Sequence, residues 1–182
     1  MRVMLGLLLK GAARLSMVKV FVSLGSNINR EHNIRSGIKA LQDSFGELVL
    51  SSVYESDVEG FKGDPFYNLV VGFAADNHIE VHKILHEIED HHGRIRGQEK
   101  FSSRTLDLDL LFFGSEDLRA QGLDVPRQEV IQYAFILWPL AEIAPDFVHP
   151  TENRSIEALW RAYKAQHMGS LGSIKKLAFA WV

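Results

Sequence analysis

The sequence predicts an α+β fold built on one antiparallel sheet with helices on one face. Three observations lead there. Strand-like and helix-like segments follow one another as strand, helix, strand, strand, helix, strand. Both helical segments carry a clean apolar stripe at helical spacing. No repeat, low-complexity tract or linker interrupts the order. That order is the split β-α-β arrangement of ferredoxin-like domains. The second face of the sheet is expected to stay open for ligands.

Val18 to Ser23 alternates apolar and polar residues and reads as the first strand, closed by the turn residues Gly25-Ser26-Asn27. A helix is expected from Glu31 to Phe45, with Ile34, Ile38, Leu41 and Phe45 on one stripe and Gly46 ending it. Leu48 to Ser56 reads as the second strand and Phe66 to Ala75 as the third. Between them Asp57 to Pro65, rich in glycine and charge, reads as a loop. Asn77 suits the N-cap of a second helix, with Glu80 placed to complete a capping box and Val81, Ile84, Leu85 and Ile88 forming its core stripe. Gly93 ends that helix, and the cationic loop Arg94 to Ser103 leads to the fourth strand. Val125 to Gln132 reads as irregular. Phe135 to Trp138 reads as a short strand, with Pro139 in the first turn of a helix ending near Ala144-Pro145. Ile156 to Tyr163 reads as a further helix, and Ile174 to Val182 as a last strand or helix.

A chain of 182 residues with 46% apolar and 24% charged residues suits an ordinary globular domain that buries its core without staples. There is no cysteine, so disulfides and thiolate metal sites are excluded, and a reducing cytoplasm fits. A net charge of −3 argues against a general nucleic-acid binder. Met1-Arg2 followed by Val3 to Leu9 resembles a signal h-region, but Lys10 interrupts it and it is too short to span a bilayer. Met17 stands directly before the first strand. Residues 1–16 are therefore expected to be a disordered leader or an upstream-start extension, and residues 17–182 a single domain.

The chemistry concentrates in Arg104-Thr105-Leu106-Asp107-Leu108-Asp109-Leu110-Leu111. Leu108, Leu110 and Phe112 suit one face of a strand, so Asp107 and Asp109 share the other, about 7 Å apart along the backbone. Two like charges on one face repel unless a cation lies between them. A hard ion such as Mg²⁺, which also keeps waters and phosphate oxygens, takes paired carboxylates of this kind. The preceding loop holds Arg94, Arg96, Lys100 and Arg104 against the lone anion Glu99. Guanidinium forks grip phosphate bidentately, so loop and strand together point to metal–polyphosphate chemistry. Either feature alone also fits a solvated polar surface.

Other motifs fail. His86 and His91 are five residues apart and do not share the helix face that zinc needs. His82 and His86 lie one turn apart but lack a third ligand at metal spacing. No phosphate-binding P-loop, dinucleotide fingerprint or nucleophile elbow occurs. Asn68, on a strand opposite Asp107, offers donor and acceptor to a small heterocycle. Phe66, Phe101 and Phe135 are candidates to stack on a flat ring, and Phe101 stands out because it sits in a polar loop.

These pieces resemble the 6-hydroxymethyl-7,8-dihydropterin pyrophosphokinase family of folate biosynthesis. The resemblance runs from about Val18 to Pro150. It rests on Ser23-Leu24-Gly25-Ser26-Asn27, Ser51 to Ser56, Phe66-Tyr67-Asn68, Gly93-Arg94-Ile95-Arg96, the aspartate strand, Phe135 to Leu140, and Glu142-Ile143-Ala144-Pro145. It implies transfer of pyrophosphate from ATP to the pterin's hydroxymethyl oxygen, with AMP leaving and two Mg²⁺ ions bridging the phosphates. It further implies that Asp107 and Asp109 ligate metal and that Arg94 and Arg104 join them in catalysis. Ser56, Phe66, Asn68, Phe101, Asp107 and Phe135 would bind the pterin. His86, Glu89, Arg96, Lys100, Arg104 and Arg127 would face ATP. ATP and a reduced pterin are then the only partners expected, with no nucleic acid, no membrane and a monomeric protein.

The chain departs from the family pattern at several positions. Phe101 and Ser102 stand where tryptophan and glycine are usual, Arg127 where histidine is usual, and Tyr133 where many members carry arginine. Asp57 and Val58 replace a common proline pair. The metal and pterin positions are kept while the ATP side is remodelled. An active pyrophosphokinase is the leading reading. A divergent paralogue that binds pterin or nucleotide without efficient transfer is the alternative. A purely structural ferredoxin-like module would leave Arg104, Asp107 and Asp109 without purpose.

Overall fold

The computed structural model describes residues 16–57, 63–94, 103–167, 169 and 171–181. The elements run β1 (Val18–Ser26), α1 (Arg30–Phe45), β2 (Val49–Leu50), β3 (Tyr54–Ser56), β4 (Phe66–Ala75) and α2 (His78–His91). Then follow β5 (Asp107–Phe113), α3 (Glu129–Gln132), α4 (Ala134–Ile143), α5 (Ile156–Gln166) and β6 (Ile174–Lys176). The sheet order is β5-β1-β4-β3-β6, with β2 also paired to β4. Every pairing is antiparallel. The α+β, ferredoxin-like class expected from the element order is the one observed. Among the described residues no helix is long and apolar enough to cross a membrane.

The α1 and α2 stripes do what their spacing requires. Ile34, Ile38 and Leu41 of α1 meet Val81, Leu85 and Ile88 of α2 over Val20, Val22 and Leu24 of β1. Asn77 caps α2, its side chain accepting from the N–H groups of Ile79 and Glu80 at 3.0 and 3.2 Å. At Gly37 of α1 a side chain would stand 2.9 Å from Leu106, so the glycine lets α1 lie close over the start of β5.

The expectation of an open second face holds only at the end that carries Gly25 and Asp107; the rest of that face is covered. Phe21, Val70, Leu111 and Phe112 on that face pack against Ile136, Leu137 and Leu140 of α4 and Trp160 of α5. The expected strand Phe135 to Trp138 belongs to α4, and Pro139 lies inside that helix. The physical reason is common to both errors. α4 is sandwiched between sheet and α5, so it is apolar on both sides and shows no amphipathic period. A short continuous apolar run then reads as a strand.

Two strands also differ in detail. Leu48 to Ser56 is broken into β2 and β3. At the break Ser51 N–H donates to Val70 O at 3.0 Å, while the Ser51 hydroxyl accepts from Val70 N–H at 3.0 Å. A side chain thus takes the place of a strand carbonyl. In β5 the register against β1 slips between Phe21 and Val22, so that Phe21 faces Phe112 while Val22 faces Leu110. Leu111 is the extra residue of a bulge. Phe112 therefore joins Leu111 against α4, rather than Leu108 and Leu110 as strict alternation predicts. The region expected to be irregular contains the short helix α3, α5 extends to Gln166, and the tail supplies β6.

Candidate active site

The antiparallel pairing brings the end of β1 and the starts of β4 and β5 to one edge of the sheet. There Gly25 lies opposite Asn68 on one side and Asp107 on the other. Ser23, two residues back on the same face, lies opposite Val70 and Asp109. Gly25 has no side chain, so Asn68 and Asp107 flank a bare strip of backbone. A methyl group built there would meet Asn68 Oδ1 at 3.5 Å, Phe66 Cδ1 at 3.7 Å and Asp107 Cβ at 4.0 Å. This is a floor for a flat ligand, edged by an amide, an aromatic ring and a carboxylate.

Of the residues expected on the pterin side, Phe66, Asn68 and Asp107 border this strip, Ser56 is bonded to Asn68, and Phe135 shares a cavity with Ser56. Asn68 Nδ2 donates to Ser56 Oγ at 2.9 Å, and both residues are buried. That bond orients the amide so that its oxygen faces the glycine strip. Ser56 also lines a cavity of about 300 Å³ with Asp57, Tyr133, Phe135, Tyr163 and Ile174. Phe135, at the start of α4, stacks on Tyr133 with ring centroids 5.0 Å apart and 19° between planes. Phe101, Arg96 and Lys100 lie outside the described residues.

The carboxylates are held by cations of the chain itself. Arg94 Nη1 lies 2.5 Å from Asp107 Oδ1 and also contacts Glu89 Oε1. Arg127 Nη2 lies 2.6 Å from Asp109 Oδ1. Among the described residues Asp107 Oδ1 is buried and receives no directed hydrogen bond, despite its ionic contact with Arg94. Burial, and then the adjacent Asp107 charge, push the Asp109 carboxyl up to about 6, although Arg127 and Arg94 oppose the shift. The ionised form of Asp109 therefore gains from any added cation. No described cluster of three or more His, Asp or Glu groups forms a cage. Two open carboxylates suit an ion such as Mg²⁺, which keeps waters and phosphate oxygens in its shell.

Glu89 is fully buried. Its Oε1 accepts from Leu108 N–H at 2.8 Å and its Oε2 lies 3.1 Å from His86 Nδ1. His86 Nε2 in turn lies 3.1 Å from His82 Nε2, so one ring donates and the other accepts. Glu89 therefore joins α2 to β5 beside Asp107 and fixes Arg94. Arg104 is placed by Asn27: its N–H donates to Asn27 Oδ1 at 2.7 Å, and its carbonyl accepts from the N–H groups of Asn27 and Ile28 at 3.1 Å. Asn27 Nδ2 also donates to Asp64 O at 3.1 Å and to Ser103 Oγ at 3.3 Å. One buried asparagine thus ties together the ends of the two loops beside the site.

Sequence reasoning gave no site role to Gly25, Asn27 or Glu142, and it read Gly25 and Ser26 as a turn although both belong to β1, where each still pairs with β4. All three stood inside recognisable motifs, but their work depends on strand register and on α4, which one-dimensional patterns do not show. Glu142 accepts from Ser52 N–H at 3.0 Å, Ser52 Oγ at 2.8 Å, Tyr54 OH at 3.0 Å and Lys176 Nζ at 2.7 Å. It fastens α4 to the β2–β3 break and to β6.

Residues 21–145 match the family model for 7,8-dihydro-6-hydroxymethylpterin-pyrophosphokinase. The chain is 34% identical over 128 residues to 2-amino-4-hydroxy-6-hydroxymethyldihydropteridine pyrophosphokinase of Bacillus subtilis, covering 68% of this chain and 76% of that one. It is 36% identical over 143 residues to the folic acid synthesis protein fol1 of Pneumocystis carinii, covering 75% of this chain but only 19% of that longer protein. Among solved structures, a Plasmodium falciparum HPPK-DHPS triple mutant with pteroate aligns with a TM-score of 0.68 at 12% identity. That alignment covers 91% of this chain and 47% of the other, and it supports the fold alone. By the family model and these relatives, the chain belongs to the 7,8-dihydro-6-hydroxymethylpterin-pyrophosphokinase family.

Proposed function

We propose that Asp107 and Asp109 hold magnesium, and that Asn68, Ser56 and Asp107 seat the pterin over Gly25, in the pyrophosphoryl transfer from ATP to hydroxymethyldihydropterin that family membership assigns to this chain. The observation that carries the reading is the alignment of Asn68, Gly25 and Asp107 across three neighbouring strands. An amide and a carboxylate at the two edges of a bare strip match the donors and acceptors along a pterin's edge. Phe66 and Phe135 supply apolar faces for the ring.

Phosphoryl-group transfer asks for positioning and charge neutralisation more than for covalent help from the protein. Magnesium, when bound, would neutralise phosphate oxygens and orient the triphosphate. The chain's own part is to aim guanidinium groups at the same charge. Arg94 is aimed by Glu89 and Asp107, and Arg104 is placed through Asn27. Arg127 reaches the site through Asp109. Glu89 and His86 act by fixing Arg94 and the start of β5, and Arg96 and Lys100, which lie outside the described residues, are expected to face ATP. In this reading the protein works in the cytoplasm as a monomer, and residues 17–182 fold as a single unit.

The test is AMP release by the full chain with ATP, Mg²⁺ and 6-hydroxymethyl-7,8-dihydropterin. Asp107→Ala and Asp109→Ala are each expected to lower turnover by about 100-fold or more while the protein stays folded. Turnover near wild type in either variant would refute the metal assignment. Pterin binding by the wild-type chain without AMP release would favour the divergent binding module.

A further inference from the structure

Arg127 stands where the family pattern has histidine, and its environment gives it a second task. Its backbone N–H donates to Leu111 O at 3.3 Å, which anchors the residue beside β5 two positions from Asp109. Its side chain then turns to Asp109, with Nη2 at 2.6 Å from Oδ1. Its Nε is buried and has no hydrogen-bond partner among the described residues. The guanidinium fork is therefore only partly used. It neutralises one carboxylate through one arm and keeps a buried donor in reserve. Arg94 does the corresponding work at Asp107, where Glu89 shares it.

We propose that Arg127 is a built-in counter-ion of Asp109 that a divalent cation must displace, so that metal and nucleotide enter the site as a coupled pair. The proposal rests on the reading of Asp109 as a metal ligand. The argument is one of charge balance. A metal arriving alone would have to expel the guanidinium from Asp109 and leave it near a second positive charge. A metal arriving with a triphosphate brings the acceptor that the guanidinium needs. Phosphate oxygens can take Nη2 and the unused Nε together, which a single carboxylate oxygen does not. Coupling of this kind is reciprocal: nucleotide tightens metal as much as metal tightens nucleotide. Arg127 is then a positioning and selectivity residue, holding the metal site closed to free cations until the substrate that needs the metal is present.

The experiment measures binding of Mn²⁺ alone to the full chain, by the loss of the free-ion EPR signal and by calorimetry. Wild-type protein is compared with Arg127→Met, Arg127→Gln and Arg127→Lys, and thermal melts confirm folding. Arg127→Met and Arg127→Gln are expected to bind Mn²⁺ about fivefold to tenfold more tightly than wild type, because the lost ion pair is partly exposed and of modest strength. Adding Asp109→Asn to Arg127→Met should abolish the gain. Arg127→Lys, which keeps the charge, should remain close to wild type. Equal Mn²⁺ affinity in wild type and Arg127→Met would overturn the proposal. So would a gain in Arg127→Lys as large as in Arg127→Met, since loosening rather than lost charge would then be the cause. If no variant binds Mn²⁺, with or without α,β-methylene-ATP, the metal assignment itself is overturned, a failure distinct from the other two.

Discussion

Replacing Gly25 with alanine tests the site at its floor without touching a reactive group. The added methyl would sit 3.5 Å from Asn68 Oδ1, 3.7 Å from Phe66 Cδ1 and 4.0 Å from Asp107 Cβ, all ordinary van der Waals separations. Gly25 is also not among the positive-φ glycines. The fold should accept the change and gain about 0.5–1 kcal/mol, as alanine does over glycine inside a strand. That corresponds to a melting temperature about 1–4 °C higher. For a flat ligand the same methyl is an obstruction, because it lifts the ring away from Asn68 on one edge and Asp107 on the other. Weakening one neutral and one charge-assisted hydrogen bond costs about 2–4 kcal/mol, or roughly 30-fold to 700-fold in Kd. Calorimetry with 6-hydroxymethylpterin reads the affinity directly, and a melt on the same sample reads the fold. A variant that melts at or above the wild-type temperature but binds pterin within threefold of wild type would refute the placement of the ring over Gly25.

Glu89→Ala leaves Arg94 without one of its two carboxylates and Leu108 N–H without its acceptor. A loss of about 3–5 kcal/mol is expected, equivalent to about 6–20 °C in melting temperature, whereas Glu89→Gln should lose less because it keeps the acceptor. A change in Glu89→Ala within 0.5 kcal/mol of wild type in urea denaturation would contradict the role given to Glu89. At Glu142 partial burial raises the carboxyl, but bonds from Lys176, Ser52 and Tyr54 outweigh it and hold it at about 2, below its ordinary 4.5. Its stabilising contribution is therefore complete above about pH 4.5 and lost as pH falls toward 2, and Glu142→Gln should flatten that acid limb of a stability-versus-pH curve. An unchanged acid limb in the variant would show that the four bonds around Glu142 do not act on folding.

The division between what the chain declares and what it conceals has a physical basis. Ile34, Ile38 and Leu41, and likewise Val81, Leu85 and Ile88, face core on one side and water on the other, so their period reports their burial. The aspartate strand was legible because charges alternate with leucines at its solvent-facing end. α4 was not, because Val70 and Phe112 below it and Trp160 above it bury both sides and erase the period. The pairing of Arg127 with Asp109 is also invisible in one dimension, since the intervening chain must fold back along β5 before the two can meet. Ser56 and Asn68 were expected in one site, but the bond between them follows from the antiparallel pairing of β3 with β4.

The extra residue at Leu111 divides β5 into two half-strands that are out of phase. The first half presents two acids to the site, and the second gives both Leu111 and Phe112 to the packing against α4 while Phe113 turns to the opposite core. With Leu111 present, strict alternation would send Phe112 toward the α1–α2 core and Phe113 toward α4, and each layer would receive the wrong ring. The bulge absorbs that one-residue excess. Deleting Leu111 would remove the excess itself: Phe112 and Phe113 would keep their layers, and the cost would fall on the lost packing of one buried leucine. Inserting a residue between Leu110 and Phe112 would add a second excess and misplace both rings, so this strand should tolerate shortening at Leu111 better than lengthening there.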